Sequence, residues 1–209
     1  MKYKAILYDL DGTLLNTTDM NILPLQQLIL RHTNVLHDYK DLVTYTSMNG
    51  HQIIKKLGLY PIDEVYDEWV NDIQLSNLKA TMFPNVYETI SALDKLNIIQ
   101  GIVSSKYIKQ YSIDIADTNL DPFFKIKVLK EHTTKHKPEP EPLLLALKLL
   151  KLESNEVLYV GDTTTDIEAC KAINMDVAYV EWGPINISNP IGASYILKDL
   201  KELLKIIED

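Results

Sequence analysis

Residues 5–13 read Ala5-Ile6-Leu7-Tyr8-Asp9-Leu10-Asp11-Gly12-Thr13, an apolar run that stops at two acids and a glycine. A continuous apolar run without alternation is the pattern of a strand buried on both faces, and the glycine-bearing acidic turn ends it. Successive side chains of an extended chain point to opposite sides, so Asp9 and Asp11 would project together beyond the strand end. Gly12 permits the sharp turn that follows. Taken alone, this stretch reads equally well as a plain acidic loop. Its meaning depends on what the rest of the chain brings beside it.

Further runs of the same kind lie downstream. They cover 98–103, ending at Ser104 and Ser105, then 157–160, ending at Gly161 and Asp162, with a weaker one at 177–180. A short strand is expected around 126–129. Helical spacing fills the gaps: Val86, Ile90, Leu93 and Leu96 after Pro84, then residues 142–152, 165–173 and 200–207. Asn97 and Asn174 stand where left-handed caps would close two of these helices. Strand alternating with helix predicts an α/β fold with a mainly parallel sheet covered by helices on both faces. Residues 17–81 break the alternation. They show no strand pattern, only three helical ones: Leu25, Leu28 and Ile29; Ile53, Ile54 and Leu57; and Val65, Trp69, Ile73 and Leu78 after Pro61. A helical domain at 17–81 inserted into a core of 1–16 and 82–209 is the expected organisation.

Ligands of open parallel sheets bind beyond the carboxyl ends of the strands. Polar motifs distant in sequence should therefore meet there. Asp9 and Asp11 follow the first strand, and Asp162 ends a later one. Asp166 stands in the same GDTTTD stretch, where Thr163 to Asp166 also read as a helix N-terminus. At ~4 Å and an effective dielectric near 20, each pair of such carboxylates repels by about 4 kcal/mol. The cluster must protonate or hold a cation. Oxygen donors with room for water and phosphate suit Mg²⁺, and no Cys/His pairing has zinc spacing. Ser104, Ser105 and Lys106 follow the second strand, and Lys137-Pro138 precedes a helix. A hydroxyl and a lysine facing a Mg²⁺-carboxylate cluster have the electrostatics that phosphoryl transfer needs.

With these residues in order, the chain resembles the haloacid dehalogenase-like hydrolase superfamily over nearly its whole length. DLDGTLLNT at 9–17, the run ending in Ser104, Lys137-Pro138 and GDTTTD at 161–166 match its four motifs. The resemblance is nearest to the phosphoglycolate phosphatase-like and pyrophosphatase-like members. It implies a Rossmann-like three-layer core, with the 17–81 insertion as a small helical cap. It implies Asp9 as the nucleophile that forms an aspartyl-phosphate, and Asp11 as the acid and later the base. It implies Mg²⁺ held by the Asp9 carboxylate, the Asp11 main-chain oxygen and Asp162, with Asp166 as a further ligand or orienting acid. Ser104, Ser105 and Lys137 would bind the phosphoryl group. In the cap loop 46–52, Gly50 would allow a turn, and His51 or Gln52 could meet the leaving group. The dehalogenases lack the second acid present here as Asp11, and the transport ATPases carry Lys-Thr where this chain has Leu10-Asp11. A phosphomutase using the same aspartyl-phosphate, or a silent phosphometabolite sensor, are the alternatives. His136 before Lys137 and Asn174 depart from the glycines common in this group.

Composition agrees with that class. The chain has 209 residues, 46% hydrophobic and 24% charged, with a net charge of −8 and a single arginine. An acidic chain without arginine clusters is a poor binder of nucleic acid or anionic lipid. One cysteine, Cys170, cannot make an internal disulfide and is expected in the core. The apolar run at the N-terminus is too short for a signal or a membrane span. A cytoplasmic enzyme acting on a small phosphorylated molecule, without nucleic-acid or membrane partners, is expected.

Overall fold

The computed structural model describes residues 2–46, 48–185, 187 and 190–208; Ser47 of the 46–52 loop lies outside them. The chain forms two compact units. One comprises Met1–Asn16 with Thr81–Asp209, the other Thr17–Ala80.

The larger unit is built on six strands: β1 (Ala5–Tyr8), then β4 (Ile99–Val103), β5 (Phe124–Val128), β6 (Val157–Gly161), β7 (Asp176–Val180) and β8 (Tyr195–Leu197). Their order is β5-β4-β1-β6-β7-β8, and every pairing is parallel. The sheet puts β1 at its centre because β1 is apolar on both faces, and all four of its residues are buried. From β1 the chain builds outward in two directions, through β4 and β5 on one side and through β6, β7 and β8 on the other. That reversal beside β1 is a topological switch point, where the loops leaving neighbouring strands part and open a crevice. Helices α5 (Val86–Lys95), α6 (Ile108–Ile115), α7 (Glu141–Leu150), α8 (Thr164–Lys171) and α9 (Glu202–Glu208) complete this unit. A two-residue antiparallel ladder, β2 (Leu15–Asn16) with β3 (Thr81–Met82), ties the points where the chain leaves this unit and returns.

The smaller unit is helical among its described residues: α1 (Thr18–Thr33), α2 (Tyr39–Val43), α3 (Gly50–Lys56) and α4 (Ile62–Leu75). Helix α4 buries Val65, Tyr66, Trp69 and Ile73 at helical spacing. It is fastened to α1 by the Trp69 indole N–H, which donates to Asn21 O at 3.0 Å, and by Arg31, which pairs with Glu68 and Asp72.

The parallel α/β reading holds, with local corrections. The strand expected at 126–129 runs Phe124–Val128, pinned by its register on β4. Leu78 is not on the third helix of the insertion: α4 stops at Leu75, and Leu78 is exposed. Asn97 and Asn174 do adopt the left-handed conformation, at φ 58° and 52°. Cys170 is fully buried in the core.

Candidate active site

The register fixes where the site forms. Tyr8 pairs with Ile102 on one side and Val160 on the other. The residues just beyond, Asp9, Ser104 and Asp162, therefore emerge at one carboxyl edge of the sheet.

The turn after β1 is held by its own backbone. Leu14 N and Leu15 N both donate to Leu10 O, at 3.0 and 2.9 Å, and Gly12 N donates to Leu15 O at 2.9 Å. Gly12 sits at φ +72°, and a Cβ there would lie 2.2 Å from Asp162 Oδ2. Conformation and space both require glycine, because the turn passes directly over a carboxylate. Thr13 Oγ1 donates to Asp162 Oδ1 at 3.2 Å, and the Trp182 indole N–H donates to Thr13 O at 3.0 Å. The 181–184 turn thus buttresses the acidic turn, and Trp182 acts there as a brace.

Asp9, Asp162 and Asp166 each bring a carboxylate oxygen within 4.8 Å of the others. All three are buried. Burial, helped by the Asp166 and Asp11 charges and opposed by Lys137 and the Leu10 N–H, raises the Asp9 carboxyl to about 6. Burial, then the Asp166 and Asp9 charges, holds Asp162 well above the usual carboxylate range.

Lys137 is the buried cation that faces this cluster. Its Nζ lies 2.7 Å from Asp166 Oδ1 and 3.1 Å from Asp9 Oδ2. It also donates to the Tyr159 hydroxyl at 2.7 Å, and that hydroxyl donates to Val103 O at 2.9 Å. Burial alone would discharge the amine, but the Asp166 and Asp9 carboxylates outweigh it and keep Lys137 charged. Asp166 has a second task. Its Oδ2 accepts from Thr163 Oγ1 at 2.6 Å and from Thr163 N at 3.1 Å, closing a capping box at the start of α8. One side chain therefore caps the helix and anchors the lysine.

Asp11 is paired with a second lysine. Its Oδ1 meets Lys106 Nζ at 3.2 Å. Lys106 is buried and also ion-paired to Asp114, a buried acid on α6. The sequence places Lys106 in the Ser104-Ser105-Lys106 motif without a role of its own, and does not mark Asp114. The available signal was Asp114 on the buried stripe Tyr111, Asp114, Ile115 of α6, since an acid on an apolar stripe calls for a buried partner.

Ser104 is buried at the end of β4, with its N–H on Val128 O at 3.0 Å, and Ser105 beside it is half-buried. In the helical unit Gly50, His51 and Gln52 form the first turn of α3 rather than a loop. The expected turn at Gly50 is corrected: its Cβ would lie 2.2 Å from the Tyr66 ring, so glycine serves close packing. His51 stacks on Tyr66, with ring centroids 4.0 Å apart, and its Nε2 lies 3.3 Å from Asp63 Oδ1. Gln52 closes the capping box with Asn49.

The family model for haloacid dehalogenase-like hydrolases matches residues 6–180. Pyrophosphatase PpaX of Oceanobacillus iheyensis is 28% identical over 217 residues, covering 100% of this chain and 99% of that protein. Pyrophosphatase PpaX of Bacillus cereus is 29% identical over 219 residues, covering 100% and 98%. A Bacteroides fragilis structure of the haloacid dehalogenase-like hydrolase type superposes with a TM-score of 0.88 at 26% identity, covering 97% of this chain and 100% of that one.

Proposed function

This chain belongs to the haloacid dehalogenase-like hydrolase family, and we propose that it is a Mg²⁺-dependent phosphatase that hydrolyses a small phosphorylated metabolite through an aspartyl-phosphate on Asp9. The observation that carries this reading is the meeting of three buried carboxylates and one buried lysine at the carboxyl edge of β1.

The donor set fits the metal. Asp9, Asp162 and Asp166 offer only carboxylate oxygens, mutually close and buried, which is a hard-cation environment. Asp9 and Asp162, with the main-chain oxygen of Asp11, would hold Mg²⁺, which supplies positive charge beside the transferring phosphoryl group; Asp166, whose oxygens accept from Lys137 and Thr163, would be a further ligand or an orienting acid. The protein's own residues do the rest. Asp9 attacks phosphorus through a carboxylate oxygen, forming an acyl-phosphate bond as the bond to the leaving oxygen breaks. Asp11 gives that oxygen a proton and then takes one from the water that attacks the phosphoryl group, so the carboxyl ends as it began. Lys137, fixed by Asp166 and Tyr159, neutralises phosphoryl charge. Ser104 and Ser105 donate to phosphoryl oxygens from the end of β4. The same proposal takes residues 17–80 as the family's cap, and the first turn of α3 (Gly50, His51 and Gln52) as its selectivity element.

The substrates that the names of the similar proteins point to are pyrophosphate and phosphoglycolate-like monoesters. The PpaX proteins are named pyrophosphatases, and a Haemophilus somnus structure described as a predicted phosphoglycolate phosphatase shares the fold at a TM-score of 0.83 and 23% identity. The test is phosphate release from a panel of pyrophosphate, phosphoglycolate and sugar phosphates, with Mg²⁺ and with EDTA. Metal-dependent release from one or a few compounds is expected. Isomerised sugar phosphate without release would overturn the hydrolase reading.

A further inference from the structure

We infer that Lys106, anchored by Asp114, is a positioning residue that holds the Asp11 carboxylate in its working orientation; this rests on the proton-transfer role proposed for Asp11. Asp11 follows β1 in a turn whose next residue, Gly12, is left-handed, and its side chain is about one-third exposed, at 32%. A short side chain at such a site has rotamers that carry its oxygens in different directions. Lys106 favours one of them. Its Nζ meets Oδ1 of Asp11 at 3.2 Å while its own side chain is only 9% exposed.

The lysine is itself fixed from behind. Asp114 projects from the buried face of α6, its side chain 1% exposed, and pairs with the same Nζ. The amine therefore bridges two carboxylates. One is buried on a helix; the other is one-third exposed in the turn after β1. The backbone strengthens the hold: Lys130 N donates to Lys106 O at 2.9 Å, tying the loop after β4 to the segment after β5. A buried lysine this constrained costs side-chain entropy and desolvation, and one partner anion would suffice to satisfy its charge. The second, at Asp11, is the contact that reaches the chemistry.

With Oδ1 on Lys106, the Asp11 carboxyl keeps one orientation for both proton-transfer steps. The grip persists through the cycle, since the carbonyl oxygen of a protonated carboxyl still accepts from an ammonium group. Asp11 thus needs no rotamer search between the two steps.

The experiment compares leaving groups. p-Nitrophenolate departs as a stable anion and needs little help from an acid, whereas the alkoxide of β-glycerophosphate needs a proton. Values of kcat/KM are measured for both phosphates with Lys106→Gln, Lys106→Arg and Asp11→Asn. Lys106→Gln is expected to lower kcat/KM for β-glycerophosphate by about tenfold or more, with a much smaller loss for p-nitrophenyl phosphate. Lys106→Arg recovers part of that loss. A purely structural lesion would depress both substrates alike, and that result overturns the proposal. Lys106→Gln could fail to fold because Asp114 is left unpaired. Lys106→Gln/Asp114→Asn, which removes both charges, is then measured by the same criterion. Asp11→Asn separates the two levels of the argument. If it discriminates between the substrates and Lys106→Gln does not, the positioning role fails alone. If Asp11→Asn does not discriminate, the acid role of Asp11 fails and the inference with it.

Discussion

Replacing Asp9 by Asn should make the protein more stable above neutral pH while abolishing turnover. Burial, reinforced by Asp166 and Asp11 and opposed by Lys137 and the Leu10 N–H, raises the Asp9 carboxyl from 3.8 to about 6. Between those values the folded protein binds more protons than the unfolded chain, so stability falls as pH rises. The contribution is complete below pH 3.8 and lost as pH passes through about 6. At about 1.4 kcal/mol per pH unit, the displacement corresponds to roughly 3 kcal/mol. Asn has nearly the same shape and no charge, so it imitates the protonated acid at every pH. In EDTA at pH 8, Asp9→Asn should unfold about 6–12 °C above the parent, scaling 3 kcal/mol to a chain of this length. The two melting curves should converge towards pH 4. Added Mg²⁺ should narrow the gap at pH 8, because a bound cation stabilises the parent's ionised cluster. Equal or lower stability of Asp9→Asn at pH 8 would refute the reasoning. So would a gain that persists unchanged at pH 4.

Three further outcomes follow from the same geometry. Lys137→Met leaves Asp9 and Asp166 buried without their cation and should cost about 3–5 kcal/mol in denaturant titration, part of it restored by Asp166→Asn without return of activity. Gly12→Ala drives a Cβ against Asp162 Oδ2 at a left-handed position, which should cost about 1–3 kcal/mol and lower the affinity for Mg²⁺ in titration calorimetry. Gly50→Ala displaces the Tyr66 ring and the His51 stacked on it, and should selectively raise amide exchange in α3 and α4 while leaving β1 and β6 protected.

The central strands were legible because burial on both faces writes an apolar run, unbroken in β1 and β6 and interrupted in β4 by Gln100, whose buried amide is satisfied by Tyr8 and Ile90 O. Strand β8 carries no such mark: it is three residues at the sheet edge with Ile196 half exposed, and its place comes from pairing with β7. Helix α2 is five residues long and is started by the Asp38 side chain accepting from Lys40 N, too short for a periodic signal. The acidic positions of the candidate site could be read because Asp9 and Asp162 directly follow such runs. Lysines carry no such signal. A sequence does not distinguish a solvated lysine from a buried one, so the burial of Lys106 against Asp114, and the anchoring of Lys137 by Tyr159, emerge only when the loops are packed.

The measurement that bears most directly on the mechanism is chemical trapping of the intermediate. The protein is mixed with a ³²P-labelled substrate from the panel, quenched in acid within one turnover, digested and sequenced by mass spectrometry. The account expects label on the peptide that carries Asp9, released by hydroxylamine as an acyl phosphate is, and absent from Asp9→Asn. Turnover with no covalent label, label on another residue, or full activity in Asp9→Asn would contradict it.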